Sequence, residues 1–204
     1  MHEKQPHSPG NENEPNQQHQ SHEAGQHPSP AIYVASLADY NNGVLHGAWI
    51  DAAREPSDIQ ADIDAMLAQS PQPHAEEYVI FDYDQFGHCS INEHDPINLV
   101  ARIARGIQEH GYAFAAWVND LEDEPECWDD FSEAYLGHYD SVQDYVDGFV
   151  DDVGYTEKLT KLPASLQPYV RFDTEALARD MVLSGDIYAV HDSAGGVWIF
   201  RADT

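Results

Sequence analysis

Four residues have the types and spacing of a calcium-binding loop. Asp82, Asp84, Gly87 and Glu93 fall at positions 1, 3, 6 and 12 of the helix–loop–helix pattern, where carboxylates coordinate a hard cation and glycine permits the sharp turn. Two features oppose it. Phe86 stands at position 5, which must supply oxygen, and the preceding Tyr78-Val79-Ile80-Phe81 has the composition of a strand instead of a helix. His191-Asp192-Ser193 gathers the residue types of a hydrolytic triad, but chain neighbours cannot assemble that geometry and no nucleophile elbow surrounds them, so a strand end and turn are expected there. His19, His22 and His27 could hold a divalent ion only transiently, having neither a rigid frame nor outer hydrogen bonds to orient the rings. Cys89 and Cys127 lie at no metal-ligand spacing and suit a reducing cytosol. No glycine-rich loop is placed to cradle a phosphate. The expectation is a protein that is not an enzyme and has no catalytic, cofactor or metal site.

Charge points elsewhere. The 204 residues hold 37 Asp and Glu against 9 Lys and Arg, a formal net charge of −28. Affinity for nucleic acid or an anionic membrane comes largely from Lys and Arg neutralising phosphates, so such a chain is not expected to bind either directly. Apolar runs are all too short to span a bilayer, the longest being Tyr112 to Val118, and the N-terminus is polar; a soluble, cytoplasmic protein is expected. Hydrophobic residues make up 42% of the chain, enough to build a core under the charge.

Composition divides the chain near residue 30. Residues 1–30 contain five His, five Pro and five Gln but no Ile, Leu, Val, Phe, Tyr or Trp, and a disordered tail is expected. Behind it the body carries 33 acids and 8 bases, unevenly placed. Ten acids and no base lie between Arg54 and Arg102, and fifteen acids and no base between Arg105 and Lys158, whereas residues 158–204 are close to neutral.

Periodicity supplies the scaffold. Ala31 to Leu37 and Val44 to Ile50 alternate as strands about Asn42-Gly43, a strong two-residue hairpin signal. Ser57 with Gln60 forms a capping-box pattern ahead of Ile59, Ile63, Met66 and Leu67 at helical spacing, and Glu77 to Tyr83 is a third strand. Asp95-Pro96 looks like an N-cap and first helical residue for a helix ending at Gly111, followed by two or three short helices up to Leu136. Ser141 to Val153 should be a helix whose apolar face holds Val142, Tyr145, Val146, Phe149, Val150 and Val153, with Asp144, Asp147 and Asp151 in a stripe opposite. Like charges three or four residues apart cost about 0.2–0.5 kcal/mol per pair, so fold stability does not account for the stripe. A helix capped by Asp173 and a hairpin joining Ile187–Val190 to Val197–Phe200 complete an α+β chain.

Three ordered blocks carry a family resemblance. Ile32 to Ala52, IYVASLADYNNGVLHGAWIDA, resembles the N-terminal signature of the ArdA antirestriction proteins, including the Tyr-Asn-x-Gly turn and Gly-x-Trp. Leu162 to Asp173, LPASLQPYVRFD, and Ala176 to Asp186, ALARDMVLSGD, are similar to the same family's C-terminal third. The resemblance implies a protein of mobile DNA that blocks type I restriction–modification enzymes by imitating the duplex in their DNA-binding groove. It also implies an elongated dimer of three small domains, here 31–95 (α+β, with a sheet and a helix), 96–133 (helical) and 134–204 (helices and a β-hairpin), with acids outward. The extra tail and the insertion-like Tyr155 to Thr160 depart from the family pattern. Mimicry is consistent with the charge arithmetic: at one charge per about 1.7 Å of duplex axis, the body's net 25 negative charges equal roughly 42 Å, about 12 base pairs.

The mimicking surface is accordingly expected from Asp58, Asp62, Asp120, Glu122, Asp123, Glu124, Glu126, Asp129, Asp130, Glu133, Asp140, Asp144, Asp147, Asp151 and Asp152. A homodimer contact is expected at Leu159, Leu162, Leu166, Tyr169, Val170 and Phe172, in the least acidic part of the body, where association buries few unpaired carboxylates. Two other classes fit the composition: an acidic globular protein of the halophile type, which should unfold at low salt, and a calcium-binding module, which calcium should stabilise against heat.

Overall fold

Alternating side chains build the first sheet of the computed structural model, which describes residues 27–121 and 125–202. In β1 (Ala31–Ser36) the side chains of Ile32 and Val34 are buried; β2 (Gly47–Asp51) and β3 (Tyr78–Asp84) pair with it antiparallel in the order β2-β1-β3. Register sets Tyr33 opposite Trp49 and Asp82 on the face away from the core. Pro30, at the end of the expected tail, is already buried and accepts a hydrogen bond from Ala52 N at 2.9 Å, while residues 1–26 lie outside the described residues.

The first connection corrects the sequence expectation. A short helix, α1 (Leu37–Asn41), stands where a two-residue hairpin was predicted. Ser36 Oγ caps its start by accepting from Asp39 N at 3.3 Å, and Asn42 Nδ2 donates to Ala38 O at 2.8 Å at its end. Gly43, at φ 75°, then turns the chain out of the helix, so Asn42-Gly43 serves as a helix stop. The two strands still pair as expected.

Asp39 is completely buried beneath this connection, its Oδ2 accepting from Ser70 Oγ at 2.5 Å. Burial pushes its pKa up, but hydrogen bonding to Ser36 and Ser70 and the nearby His46 outweigh burial and hold it below the ordinary carboxyl value. A depressed folded-state pKa stabilises fully above the unfolded-state value, near 3.9, and that stabilisation disappears as pH falls through the folded-state value. Urea midpoints should therefore separate the parent from Asp39→Asn at about pH 5, and the gap should narrow by about pH 3. An equal gap at both pH values would show that the ionised carboxylate is not what holds this corner.

Two helix starts also differ. Helix α2 (Pro56–Leu67) begins with Pro56 after Glu55 as N-cap, with no side-chain cap bond; proline's preset φ starts the helix before Ser57, and the Ser57–Gln60 capping box is not used. Ile59, Ile63, Met66 and Leu67 are buried as the spacing predicts. Helix α3 (Ile97–His110) has Pro96 as its extended N-cap, and Asp95 accepts from Asn92 N at 2.8 Å in the preceding turn, where it was expected to cap. Gly111 ends α3, and α4 (Tyr112–Asp120) packs back on it so closely that a methyl group at Gly106 would overlap the Phe114 ring.

Beyond the 3-10 turn Pro125–Asp130 and the short α5 (Phe131–Ala134) comes an unanticipated strand, β4 (Tyr135–Tyr139). It joins β5 (Ile187–His191) and β6 (Val197–Arg201) in an antiparallel sheet ordered β4-β6-β5. The central strand β6 is buried on both faces. Trp198 and Phe200 enter the large core formed by the first sheet and α2–α5, while Val197 and Ile199 face the opposite side. There, Val142, Tyr145 and Met181 cover them from α6 (Val142–Asp152) and α8 (Thr174–Ser184), which also pack together through Val146, Val150 and Ala178. Asp173 caps α8 as the sequence predicts, and Ser141 caps α6. The insertion-like segment forms its own helix, α7 (Tyr155–Thr160).

Candidate functional site

Helix α6 owes its two faces to its sequence. Val146 and Val150 are buried and Val142 and Tyr145 half-buried, which turns Asp144, Asp147, Asp151 and Asp152 into solvent. The apolar side is incompletely covered, because Phe149 and Val153 remain exposed. Neutral donors hold the carboxylates in place: Ser141 Oγ to Asp144 at 2.8 Å, Gln143 Nε2 to Asp147 at 2.8 Å, and Thr156 Oγ1 to Asp151 at 2.5 Å. These bonds fix the side chains without cancelling charge. A rise of about 1.5 Å per residue places Asp144, Asp147 and Asp151 roughly 4.5 and 6 Å apart along the axis.

The remaining expected acids fall into distinct environments. Asp58, Asp120, Glu126, Glu133 and Asp140 are exposed, and Asp130 is half-buried at the end of the 3-10 turn. Asp62 accepts from Arg54 at 2.7 Å and Asp129 from Arg102 at 2.8 Å, so these two carboxylates are locally neutralised. Arg102 also lies 5.0 Å from the centre of the Trp128 ring, which fixes it further. Glu122, Asp123 and Glu124 lie outside the described residues. Among the described residues, Glu55 with Arg105 and Glu157 with Lys161 are the other acids paired with Arg or Lys. Eight basic residues therefore leave most of the carboxylate surface uncompensated.

The segment expected at a subunit contact is open. Leu159 and Leu162 are half-buried, but Leu166 is 49% and Tyr169 84% exposed, with Val170 and Phe172 also exposed. Phe172 stacks on Tyr155 at 5.2 Å, and Lys158 lies 4.6 Å from the Tyr155 ring centre. The internal core ends short of Tyr169.

The apparent catalytic motifs have structural roles. His191 ends β5, and Asp192 accepts from Ala194 N at 2.9 Å within the hairpin turn and sits 3.2 Å from His138 Nε2. Phe86, in the calcium-like loop, is buried, and no group of three or more His, Cys, Asp or Glu among the described residues could hold a metal ion. Burial pushes the Cys89 thiol up to about 12, so it remains protonated and unreactive at neutral pH.

Sequence reasoning missed the open face of the first sheet. Asp51, Asp82 and Asp84 gather there beside Trp49 and Tyr33, with Ala31 directly between Asp51 and Asp84 in register. The signal was the strand alternation, which the loop motif obscured at Asp82 and Asp84. No described helix is long and apolar enough to cross a membrane.

Comparison with known proteins agrees with the ordered sequence blocks. The family model for the antirestriction protein ArdA matches residues 32–194. No curated protein matches the chain. Since the match covers both sheets up to the final hairpin turn, together with the helices between them, the chain belongs to the ArdA family of antirestriction proteins.

Proposed function

We propose that the protein inhibits type I restriction–modification enzymes in the cytoplasm by occupying their DNA-binding groove, with carboxylates standing in for phosphates. It acts as a homodimer joined through the segment from Leu159 to Phe172. The observation that carries this reading is the α6 stripe: Asp144, Asp147 and Asp151 share an exposed face, their hydrogen-bond donors are neutral, and the opposite face is anchored by buried Val146 and Val150. A solvated helix gains stability by mixing charge signs, and this one does not. A rigid acidic surface also spares the partner the entropy of ordering it.

The triple variant Asp144→Asn, Asp147→Asn and Asp151→Asn tests the stripe. Its melting temperature should equal or exceed the parent's, because repulsion is relieved, while inhibition of a type I enzyme should weaken about tenfold or more at low salt. Added salt should slow the parent's association more than the variant's. Undiminished inhibition by a folded triple variant would remove α6 from the contact.

A further inference from the structure

We propose that the cleft beside Trp49, on the open face of the first sheet, receives an arginine side chain from the protein's partner. The cleft has a volume of about 380 Å³ and is lined by Ala31, Trp49, Asp82, Tyr83 and Asp84. Strand register explains its shape. In one row across the sheet Trp49, Tyr33 and Asp82 are neighbours; in the next, Ala31 separates Asp51 from Asp84. The methyl of Ala31 leaves a hollow, and carboxylates at the two ends of its row stand on strands about 10 Å apart, two strand spacings.

Trp49 supplies the wall. Its indole is 53% exposed, held by the Tyr33 ring at a centroid distance of 5.6 Å, while Ile50 next to it is buried on the other side of the sheet. An exposed indole beside carboxylates is complementary to a planar cation that stacks on the ring and donates at its edges. Guanidinium has that form, and an ammonium does not. Among the described residues no such cation is supplied: Asp51, Asp82 and Asp84 are in no ion pair, and Arg54, Arg102 and Arg105 engage Asp62, Asp129 and Glu55 elsewhere. A metal is the wrong occupant, since these carboxylates form no group able to hold one. That the arginine belongs to an enzyme's DNA-binding groove rests on the function proposed above; the chemistry of the cleft does not.

Tryptophan fluorescence of the full chain reads this site. Of the four tryptophans only Trp49 is exposed, because Trp117, Trp128 and Trp198 are buried. Hexa-arginine should protect Trp49 from acrylamide quenching, with an apparent affinity about five- to thirtyfold above that of hexa-lysine, the range expected from a stacked cation of about 1–2 kcal/mol. Replacing Asp82→Asn and Asp84→Asn together should abolish the protection in a protein that melts like the parent. The triple α6 variant removes more charge but should retain it. Equal protection by hexa-lysine, protection that survives Asp82→Asn with Asp84→Asn, or protection lost in the α6 variant would each overturn the proposal, leaving only nonspecific attraction of polycations. No restriction enzyme enters this measurement, so a failure here and a failure to inhibit the enzyme are separate results.

Discussion

Phe200→Ala is expected to lower the free energy of unfolding by about 3–5 kcal/mol, the usual cost of deleting a large buried aromatic. The side chain is fully buried on β6 and lies 5.1–5.6 Å by ring centroid from Tyr188, Trp117 and Tyr135. These contacts join both neighbouring strands of the second sheet to α4, so the cavity would open where three elements meet. Each well-oriented aromatic pair adds about 0.5–1.5 kcal/mol beyond its buried area. In a chain of this size the loss corresponds to a fall in melting temperature of roughly 6–20 °C. Phe149→Ala is the comparison, since that residue is 37% exposed on α6 and should cost less. A Phe200→Ala change below about 1 kcal/mol would mean that the second sheet is not bound to α4 through this aromatic cluster.

Tyr169→Glu is expected to convert the proposed dimer into a folded monomer, seen as a halved sedimenting mass with little change in melting at low concentration. The ring is 84% exposed in the single chain, so its own subunit gains little from it. Exposed Leu166, Val170 and Phe172 extend the apolar surface, and Lys158 and Arg171 bring local positive charge to an otherwise acidic protein. Two bodies of like charge can associate only where charge is low and apolar area is available. A new carboxylate there would be buried against its symmetry mate, which makes its effect on association large. An unfolded variant would show that the segment belongs to an internal core, and an unchanged dimer would remove Tyr169 from the contact.

How much of this was legible depended on the range of the forces involved. Helices α6 and α8, the Asp173 cap and the final hairpin are local features, and spacing and turn chemistry specify them. Strand β4 escaped because Tyr135 to Tyr139 is short, contains Gly137 and becomes a strand only when β6, about sixty residues away, pairs with it across a bulge. Helix α1 escaped because Asn42-Gly43 has the same composition whether it closes a hairpin or stops a helix; the buried Asp39 and its serine partners decide between them. Asp95 similarly has two available partners, and the Asn92 turn takes it. The acidic character of the surface was readable from composition. Which acids are neutralised was not, since Arg102 reaches Asp129 and Arg105 reaches Glu55 only in the folded chain. The sheet-face cleft depends on register among three strands, which no local pattern carries.

The central claim is occupancy of a DNA-binding groove, and displacement of DNA measures it most directly. A purified type I enzyme is held on a fluorescent duplex containing its recognition sequence, and the protein is titrated in while anisotropy is followed. The expected result is complete release of the duplex, with the concentration required rising in proportion to the duplex present, and no effect on a type II enzyme treated in the same way. Inhibition of cleavage while the duplex remains bound, or a midpoint independent of duplex concentration, would contradict occupancy of the groove.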